Sequence, residues 1–256
     1  AAPGGSWTLE SEAWSTTRGF PGVVTLFEQR LAFAGSPAQP DTLWASQTAD
    51  FENFAVGTAD ADALEYIIAD TGVNVIRWLM NARRLLVGTI AAEHIISSPT
   101  DEPLTPTNAS IRPDTFLGAD FAVDALRVGN VGLFLQRGAR RLREFAFSFE
   151  ADAFVAPDIS VLSEHLLREG VLQLAHLPAP DSVILAVVGD GRLLACTYER
   201  AEQVVGWSPL STDGVFESVC AIPNACGTAH EAWVVVRRTI NGELGEWDGR
   251  QWVAVD

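Results

Sequence analysis

An apolar segment returns at intervals of roughly 50 residues along the chain, and a period of this size is typical of propellers and solenoids. The five copies lie at 30–35, 84–89, 132–136, 183–187 and 232–236. Each copy is rich in branched aliphatic or aromatic residues, which suit a pleated and half-buried strand. The chain is therefore expected to consist of five similar β-rich units.

Each copy has a similar neighbourhood in the sequence. A further apolar strand precedes it, at 23–27, 75–79, 121–126, 171–175 and 216–222. A turn and a third strand follow, at 43–46, 93–97, 142–149, 193–198 and 244–247. Asp190-Gly191 and Asn241-Gly242 are strong two-residue hairpin signals, and a fourth strand is predicted at 204–207. The units therefore resemble antiparallel sheets.

Five such sheets need protected edges, which a radial arrangement provides. We expect an all-β fold: one β-propeller domain over 1–256, with repeats near 18–60, 61–110, 111–158, 170–212 and 213–256. Segment 7–14 is the candidate strand for closing the ring. One short inserted helix is predicted near 158–169, since Asp158 could cap its start and Gly170 could end it. A pair of sheets in a β-sandwich is the competing architecture.

The chain is acidic, with a formal net charge of −16, and its 17 basic residues are all arginine. An acidic balance argues against a nucleic-acid-binding protein and against a basic membrane patch. No apolar run approaches the roughly 18 residues that cross a bilayer, so no membrane insertion is expected. An arginine run at Arg137, Arg140, Arg141 and Arg143 is a possible interface. It could contact nucleic acid, although an acidic surface of a neighbouring copy fits the net charge better.

The sequence lacks the common catalytic motifs. There is no phosphate-binding glycine loop, no H-E-x-x-H and no G-x-S-x-G elbow. The four histidines are scattered without metal-ligand spacing. We therefore expect no catalytic residues, no metal and no cofactor. Cys220 and Cys226 could bridge a loop, but free thiols are the favoured interpretation.

Several segments, taken in order, resemble the bacteriophage tail tubular protein B, or tail nozzle, family. They include Arg18-Gly-Phe-Pro21, the stretch 27–35, Leu43-Trp-Ala-Ser46 and Asp50-Phe-Glu-Asn-Phe54. Further matching segments lie at 103–110, 155–165, 204–207, 212–219 and 233–242. The resemblance spans nearly the whole chain, although members of the family are typically much longer.

This resemblance implies a non-enzymatic structural component of the virion, assembled in the host bacterial cytoplasm. The implied partners are further copies of the chain in a ring, commonly hexameric, together with the adaptor, the portal and other tail proteins. Double-stranded DNA would pass through the lumen during ejection without specific binding. The alternative is a receptor- or glycan-binding tail module, with or without glycan hydrolase activity.

Overall fold

The computed structural model describes residues 13–254 apart from 71, 73, 100–101, 122, 241–242 and 248–251, and describes side chains as far as Thr239. The described chain forms five antiparallel sheets of four strands, each built from consecutive strands. Within these residues, no helix is long and apolar enough to span a membrane. The sheets are called blades 1 to 5 in chain order.

The strand bounds are as follows. Blade 1 contains β1 (Val23–Phe27), β2 (Arg30–Ala34), β3 (Thr42–Ala45) and β4 (Leu64–Ile67). Blade 2 contains β5 (Ile76–Asn81), β6 (Leu85–Thr89), β7 (Glu93–Ser97) and β8 (Ser110–Thr115). Blade 3 contains β9 (Leu126–Val128), β10 (Val131–Leu135), β11 (Leu142–Ser148) and β12 (Ala153–Val155). Blade 4 contains β13 (Val171–Leu177), β14 (Val183–Val188), β15 (Leu193–Glu199) and β16 (Val204–Leu210). Blade 5 contains β17 (Val215–Pro223), β18 (His230–Ile240), β19 (Glu243–Trp247) and β20 (Trp252–Ala254).

The blades radiate from a common side. The first strand of each blade contacts the first strand of the next, from β1 to β5, β9, β13 and β17. Within every blade the remaining strands follow outward in sequence order. This arrangement is a β-propeller, as the repeat predicts, and the β-sandwich alternative is wrong.

The core lies between the blades. Among the described residues, four buried apolar clusters fill the spaces between blades 1 and 2, 2 and 3, 3 and 4, and 4 and 5. In β10, Leu133 and Leu135 face blade 4 while Phe134 faces blade 2, and all three are at most 1% exposed. Because successive side chains alternate between the two faces of a sheet, a strand buried on both faces must be apolar throughout. This requirement explains the continuous apolar segments that recur in the sequence.

The second strand of each blade is where the repeat pattern predicts it, but two other predictions are wrong. The pattern predicts the first strand of blade 3 at 121–126, whereas the strand occupies Leu126–Val128. Phe121 at the start of the predicted strand is 76% exposed and its ring contacts the Arg77 guanidinium, so its apolar character does not indicate a sheet. The first two sheets also extend to Ile67 and Thr115, past the predicted repeat ends at 60 and 110.

The inserted helix is shorter than predicted. Only Val161–Ser163 forms a helix, of the 3₁₀ type, and successive i to i+3 turns continue to Gly170. The Asp158 carboxylate accepts hydrogen bonds from both the backbone N–H and the hydroxyl of Ser160, which makes a local turn. Leu167 is the fully buried apolar side chain of this segment and lies in the cluster between blades 3 and 4, against which Ile159 and Leu166 also pack. These apolar contacts hold the segment without requiring a regular helix.

The predicted ring-closing strand at 7–14 falls mostly outside the described residues. Of that segment, Trp14 is described, and its ring packs edge-on against Phe33 and Trp44.

Candidate functional site

The arginine run covers the turn between β10 and β11 and the start of β11, and it divides into two pairs. Arg141 pairs with Glu164 at 2.9 Å and Asp158 at 3.8 Å. Arg143 donates to Gln136 Oε1 and to the Ala156 carbonyl oxygen. Arg141 therefore ties the inserted segment to the turn before β11, while Arg143 braces its own blade.

Arg137 and Arg140 form the other pair. Both are exposed, and neither side chain makes a hydrogen bond or ion pair with the part of the chain that the structure describes. The interface predicted at all four arginines stays a prediction, and these two side chains are the ones left without a partner in the described residues.

Adjacent Glu93 and His94 form a deeply buried polar pair, pointing to opposite faces of blade 2. The Glu93 carboxylate accepts hydrogen bonds from the Thr115 hydroxyl and the Leu117 N–H, while burial raises its pKa. His94 is 1% exposed with Asp70 at 3.6 Å, and burial lowers its pKa despite that carboxylate. Glu93 thus holds the connector to blade 3, and neither side chain reaches solvent to act on a substrate.

A large surface cavity, about 990 Å³, lies between blades 1 and 2. Its arginine, Arg30, is 3% exposed and donates to the carbonyl oxygens of Ser46, Asp60 and Asp62. Its Glu28 carboxylate accepts the Leu104 N–H at 2.7 Å. Arg30 and Glu28 therefore fix the loops that form the wall of this cavity.

Two further kinds of chemically reactive group are metal ligands and thiols. No group of three potential metal ligands is found there. Cys196 is buried, and burial raises the pKa of its thiol to about 12, which leaves it unreactive. Cys220 and Cys226 are exposed free thiols, so the loop bridge between them is not formed.

The face of blade 1 that turns away from blade 2 is an exposed apolar surface. Phe27 packs in the cluster shared with blade 2, so Val24 and Leu26 point the other way. Val24, Leu26 and Ile67 of this outward face are 58%, 54% and 59% exposed. In the second strands of the inner blades, by contrast, side chains of this kind are buried on both faces, as Leu133 and Leu135 are in β10.

Part of this outward face is covered by aromatic rings from neighbouring segments. Trp14 packs against Phe33 and Trp44 at ring distances of 5.2 and 5.4 Å, and against Phe54 at 5.2 Å. Edge-on aromatic contacts of this geometry are favourable. Aromatic side chains of the same chain therefore cover part of the outward face of blade 1.

Blade 5 has a second outward apolar face. Val219 in β17 and Val236 in β18 pack toward blade 4, so Cys220, Ile222, Trp233 and Val235 point away from it. Ile222, Trp233 and Val235 are 43%, 58% and 56% exposed. Among the described side chains of this face, the largest apolar one is Trp233, which is flanked by branched residues.

The outward faces of blades 1 and 5 are the candidate functional surfaces of the molecule. Exposed apolar patches often mark interaction sites, and tryptophan is enriched at the energetic centres of interfaces. Sequence reasoning missed them because Trp233-Val-Val-Val236 resembles the doubly buried strands of blades 2 to 4. The exposure of these residues depends on whether a further blade packs against them, and the residue pattern within one strand does not encode this.

No family model matches the chain, and no curated protein is significantly similar to it. Among solved structures, the chain is similar to the β-propeller domain of Cps50 (Swd1) from Myceliophteria thermophila, with a TM-score of 0.42 and 11% identity over 84% of this chain and 83% of that one. It is also similar to a luciferin-regenerating enzyme, with a TM-score of 0.31 and 9% identity over 75% and 76% of the two chains. Neither likeness is strong enough to bear on function.

Proposed function

We propose that this chain is a non-catalytic structural component of a bacteriophage tail, of the tail nozzle type, that assembles with copies of itself around a channel for DNA ejection. The proposal combines the resemblance of ordered segments in the sequence with one feature of the surface. That feature is the pair of unlike apolar faces at the two ends of the row of blades.

Two unlike faces suit assembly into a ring. A head-to-tail contact between identical subunits requires two different, complementary patches, and repetition of that contact closes a ring or extends a filament. The outward face of blade 1 offers Val24, Leu26 and Ile67, while that of blade 5 offers Trp233 and Val235. Packing one face on the other would bury apolar surface as the inner blade interfaces do.

The net charge suits a DNA conduit. At −16, the protein would repel the duplex, so DNA could pass along an acidic lumen without adhering to it. Contacts with the adaptor, the portal and other tail proteins would hold the ring in the virion. Arg137 and Arg140 are available for an acidic neighbour in such an assembly.

Directed cross-linking tests the contact between copies. Cys220 lies on the outward face of blade 5, and an Ile67→Cys substitution places a second thiol on the outward face of blade 1. In a Cys226→Ser background, mild oxidation should give a ladder of covalent oligomers. Phe149→Cys, which introduces a thiol at a 91% exposed position on the turn between β11 and β12, is the matched control and should not give the ladder.

The same experiment has outcomes that contradict the proposed contact. An internal disulfide between Cys220 and the thiol introduced by Ile67→Cys, without a gain in mass, would show that the two faces close on each other within one chain. Failure of the two thiols to cross-link at all would exclude their contact. A density map of the intact particle then tests the assignment to the tail, since it must contain five radiating sheets per subunit below the portal.

A further inference from the structure

A cavity of about 510 Å³ lies between blades 1 and 2, at the starts of β1 and β5. It is separate from the outward faces and from the cavity of about 990 Å³, which lies at the other end of β1. Its volume is within the range found for small-molecule sites. Apart from Ser36 and Arg77, the residues that line it are apolar or glycine.

Arg77 lies at an irregularity in β5. Ile76 pairs with Thr89 of β6. Trp78 pairs with Gly88, the residue next to it, so Arg77 has no partner of its own in the ladder. A β-bulge of this kind re-aims a side chain relative to the regular strand. The bulge therefore accommodates a charged residue at the start of a largely apolar strand, and this residue lines the cavity.

The charge of Arg77 is not balanced by a carboxylate in the described residues. Its Nε atom is shielded from solvent and has no hydrogen-bond partner there. The guanidinium contacts the Phe121 ring, with 5.1 Å between Cζ and the ring centroid. Such a cation–π contact is attractive but leaves the positive charge in place. None of the described residues that line the cavity is acidic. Because a shielded donor without an acceptor is unfavourable, an anionic acceptor bound in the cavity would stabilise this arrangement.

Two exposed phenylalanine rings form part of the same cavity. Phe20 is 61% exposed and Phe121 is 76% exposed. Phe20 precedes β1, whereas Phe121 belongs to the connector between β8 and β9, so two separate segments supply the rings. Pro37 and Val75 add further apolar surface. A ligand with an aromatic body would cover this surface and remove it from water.

The segments that form the cavity are joined by backbone hydrogen bonds. The Ala38 N–H donates to the Arg18 carbonyl oxygen at 3.1 Å, which joins the loop between β2 and β3 to the segment before β1. The Ile76 N–H donates to the Pro40 carbonyl oxygen at 2.8 Å, which joins the same loop to β5. A cavity whose walls are already held in place requires less ordering when a ligand binds.

We propose that this cavity binds a small aromatic carboxylate. The carboxylate accepts hydrogen bonds from the Arg77 guanidinium, whose planar fork matches a carboxylate, and the aromatic body packs on Phe20 and Phe121. One unbalanced arginine suits a ligand with a single acidic group rather than the successive phosphates of a nucleic acid. The proposal does not depend on the assignment to a phage tail.

Isothermal titration calorimetry at low ionic strength tests this site with three probes: 2-naphthoate, uncharged 2-naphthalenemethanol and acetate. The naphthoate should bind with a stoichiometry of one and more tightly than either other probe, because only it provides both the acidic group and the aromatic body. Arg77→Gln should weaken naphthoate binding about tenfold or more and leave the weaker binding of the alcohol unchanged, because the alcohol carries no charge.

A second variant changes the aromatic wall. Phe20→Ala should weaken naphthoate binding about fivefold through loss of the ring contact. Since Phe20 is mostly exposed, this variant should fold even if Arg77→Gln does not. Thermal unfolding of each variant checks its folding before titration.

Matched controls make the same changes elsewhere. Arg140→Gln removes an exposed arginine from a distant turn, and Phe149→Ala removes a ring that is 91% exposed. Both should leave naphthoate binding unchanged. The proposal would be overturned by equal binding of the alcohol or of acetate, by the absence of naphthoate binding, or by control variants that weaken it as much as Arg77→Gln and Phe20→Ala do.

Discussion

The second strands of blades 3 and 5 have similar composition but different surroundings. In β10 of blade 3, Leu133, Phe134 and Leu135 are buried by neighbouring blades on both sides. In β18 of blade 5, Val236 packs toward blade 4 while Trp233 and Val235 point outward and are more than half exposed. Both strands therefore have an apolar sequence suited to burial on two faces. Whether both faces are buried depends on whether the blade has a neighbouring blade on each side.

The two outward faces also differ from each other. Blade 1 has partly covered its face with Trp14 and Phe54, whereas Trp233 on blade 5 stays open. Each side chain on the open face is about half exposed, so it forgoes roughly half of the ~1.5–3 kcal/mol that separates a fully exposed from a fully buried apolar side chain. An interface with a partner could recover that stabilisation, which is why the comparison bears on function.

The largest expected effect contrasts a buried ring with an exposed one. Phe134→Ala should destabilise the protein by about 3–5 kcal/mol, because it removes a fully buried aromatic side chain between blades 2 and 3 and leaves a cavity. Phe149→Ala, at a 91% exposed position, should change stability by less than about 0.5 kcal/mol. Urea unfolding followed by fluorescence measures both. Similar losses for the two variants would mean that the blades are not packed as described.

The effect on stability of intermediate size comes from comparing two glycines, one in a buried position and one in an open position. A Cβ added at Gly88 would overlap the Trp78 ring, so Gly88→Ala should cost about 1–3 kcal/mol through overpacking. Nothing lies within 4 Å of a Cβ at Gly206 in β16, so Gly206→Ala should be neutral or stabilise by about 0.5–1 kcal/mol. Thermal unfolding of the two variants measures both changes in stability. A loss of stability in Gly206→Ala would contradict the space that the structure shows at this position.

The smallest effect is a pH dependence. Burial lowers the pKa of His94 in the folded protein below the ordinary value of 6.5, so the unfolded chain takes up that proton first. Stability contributed by neutral His94 is therefore lost as the pH falls from 6.5 toward the folded pKa. His94→Gln removes this contribution, so the variant protein should lose less stability between about pH 7.5 and 5.5 than the unmodified protein does.

Exposed His165 provides the control for this measurement. His165→Gln should follow the unmodified protein, and the opposing contribution of Glu93, whose pKa burial raises, is common to all three proteins. Melting temperatures at the two pH values are sufficient. A His94→Gln protein as acid-sensitive as the original would show that this histidine is not held neutral by burial.

The fold could be predicted from the sequence where burial on both faces leaves a strong pattern. The bounds of β1 and β7 agree with the prediction, and the second strand of every blade lies at its predicted place. The fourth strands of blades 1 to 3 are not predicted, because they lie at the edges of their sheets and are short or lack a clear alternation of apolar and polar residues. In β8, for example, Arg112, Pro113 and Asp114 give no alternating pattern, and proline is tolerated at such an edge.

The candidate surfaces were harder to predict than the fold. The arginine run is visible in the sequence, but the intrachain partners of Arg141 and Arg143 are not. Phe20, Arg77 and Phe121 are far apart in sequence and line one cavity only because blades 1 and 2 and the connector after blade 2 converge. Such sites depend on contacts between repeats, which the spacing within one repeat does not specify.

The mass of the protein in solution tests most directly whether the outward faces are contacts between copies. Light scattering at micromolar concentrations should give a multiple of 27.5 kDa for the unmodified chain and 27.5 kDa for Trp233→Glu. Phe149→Glu, the same kind of change at an exposed site elsewhere, should behave as the unmodified chain. A mass of 27.5 kDa for all three proteins, or an unchanged multiple for Trp233→Glu, would contradict the account.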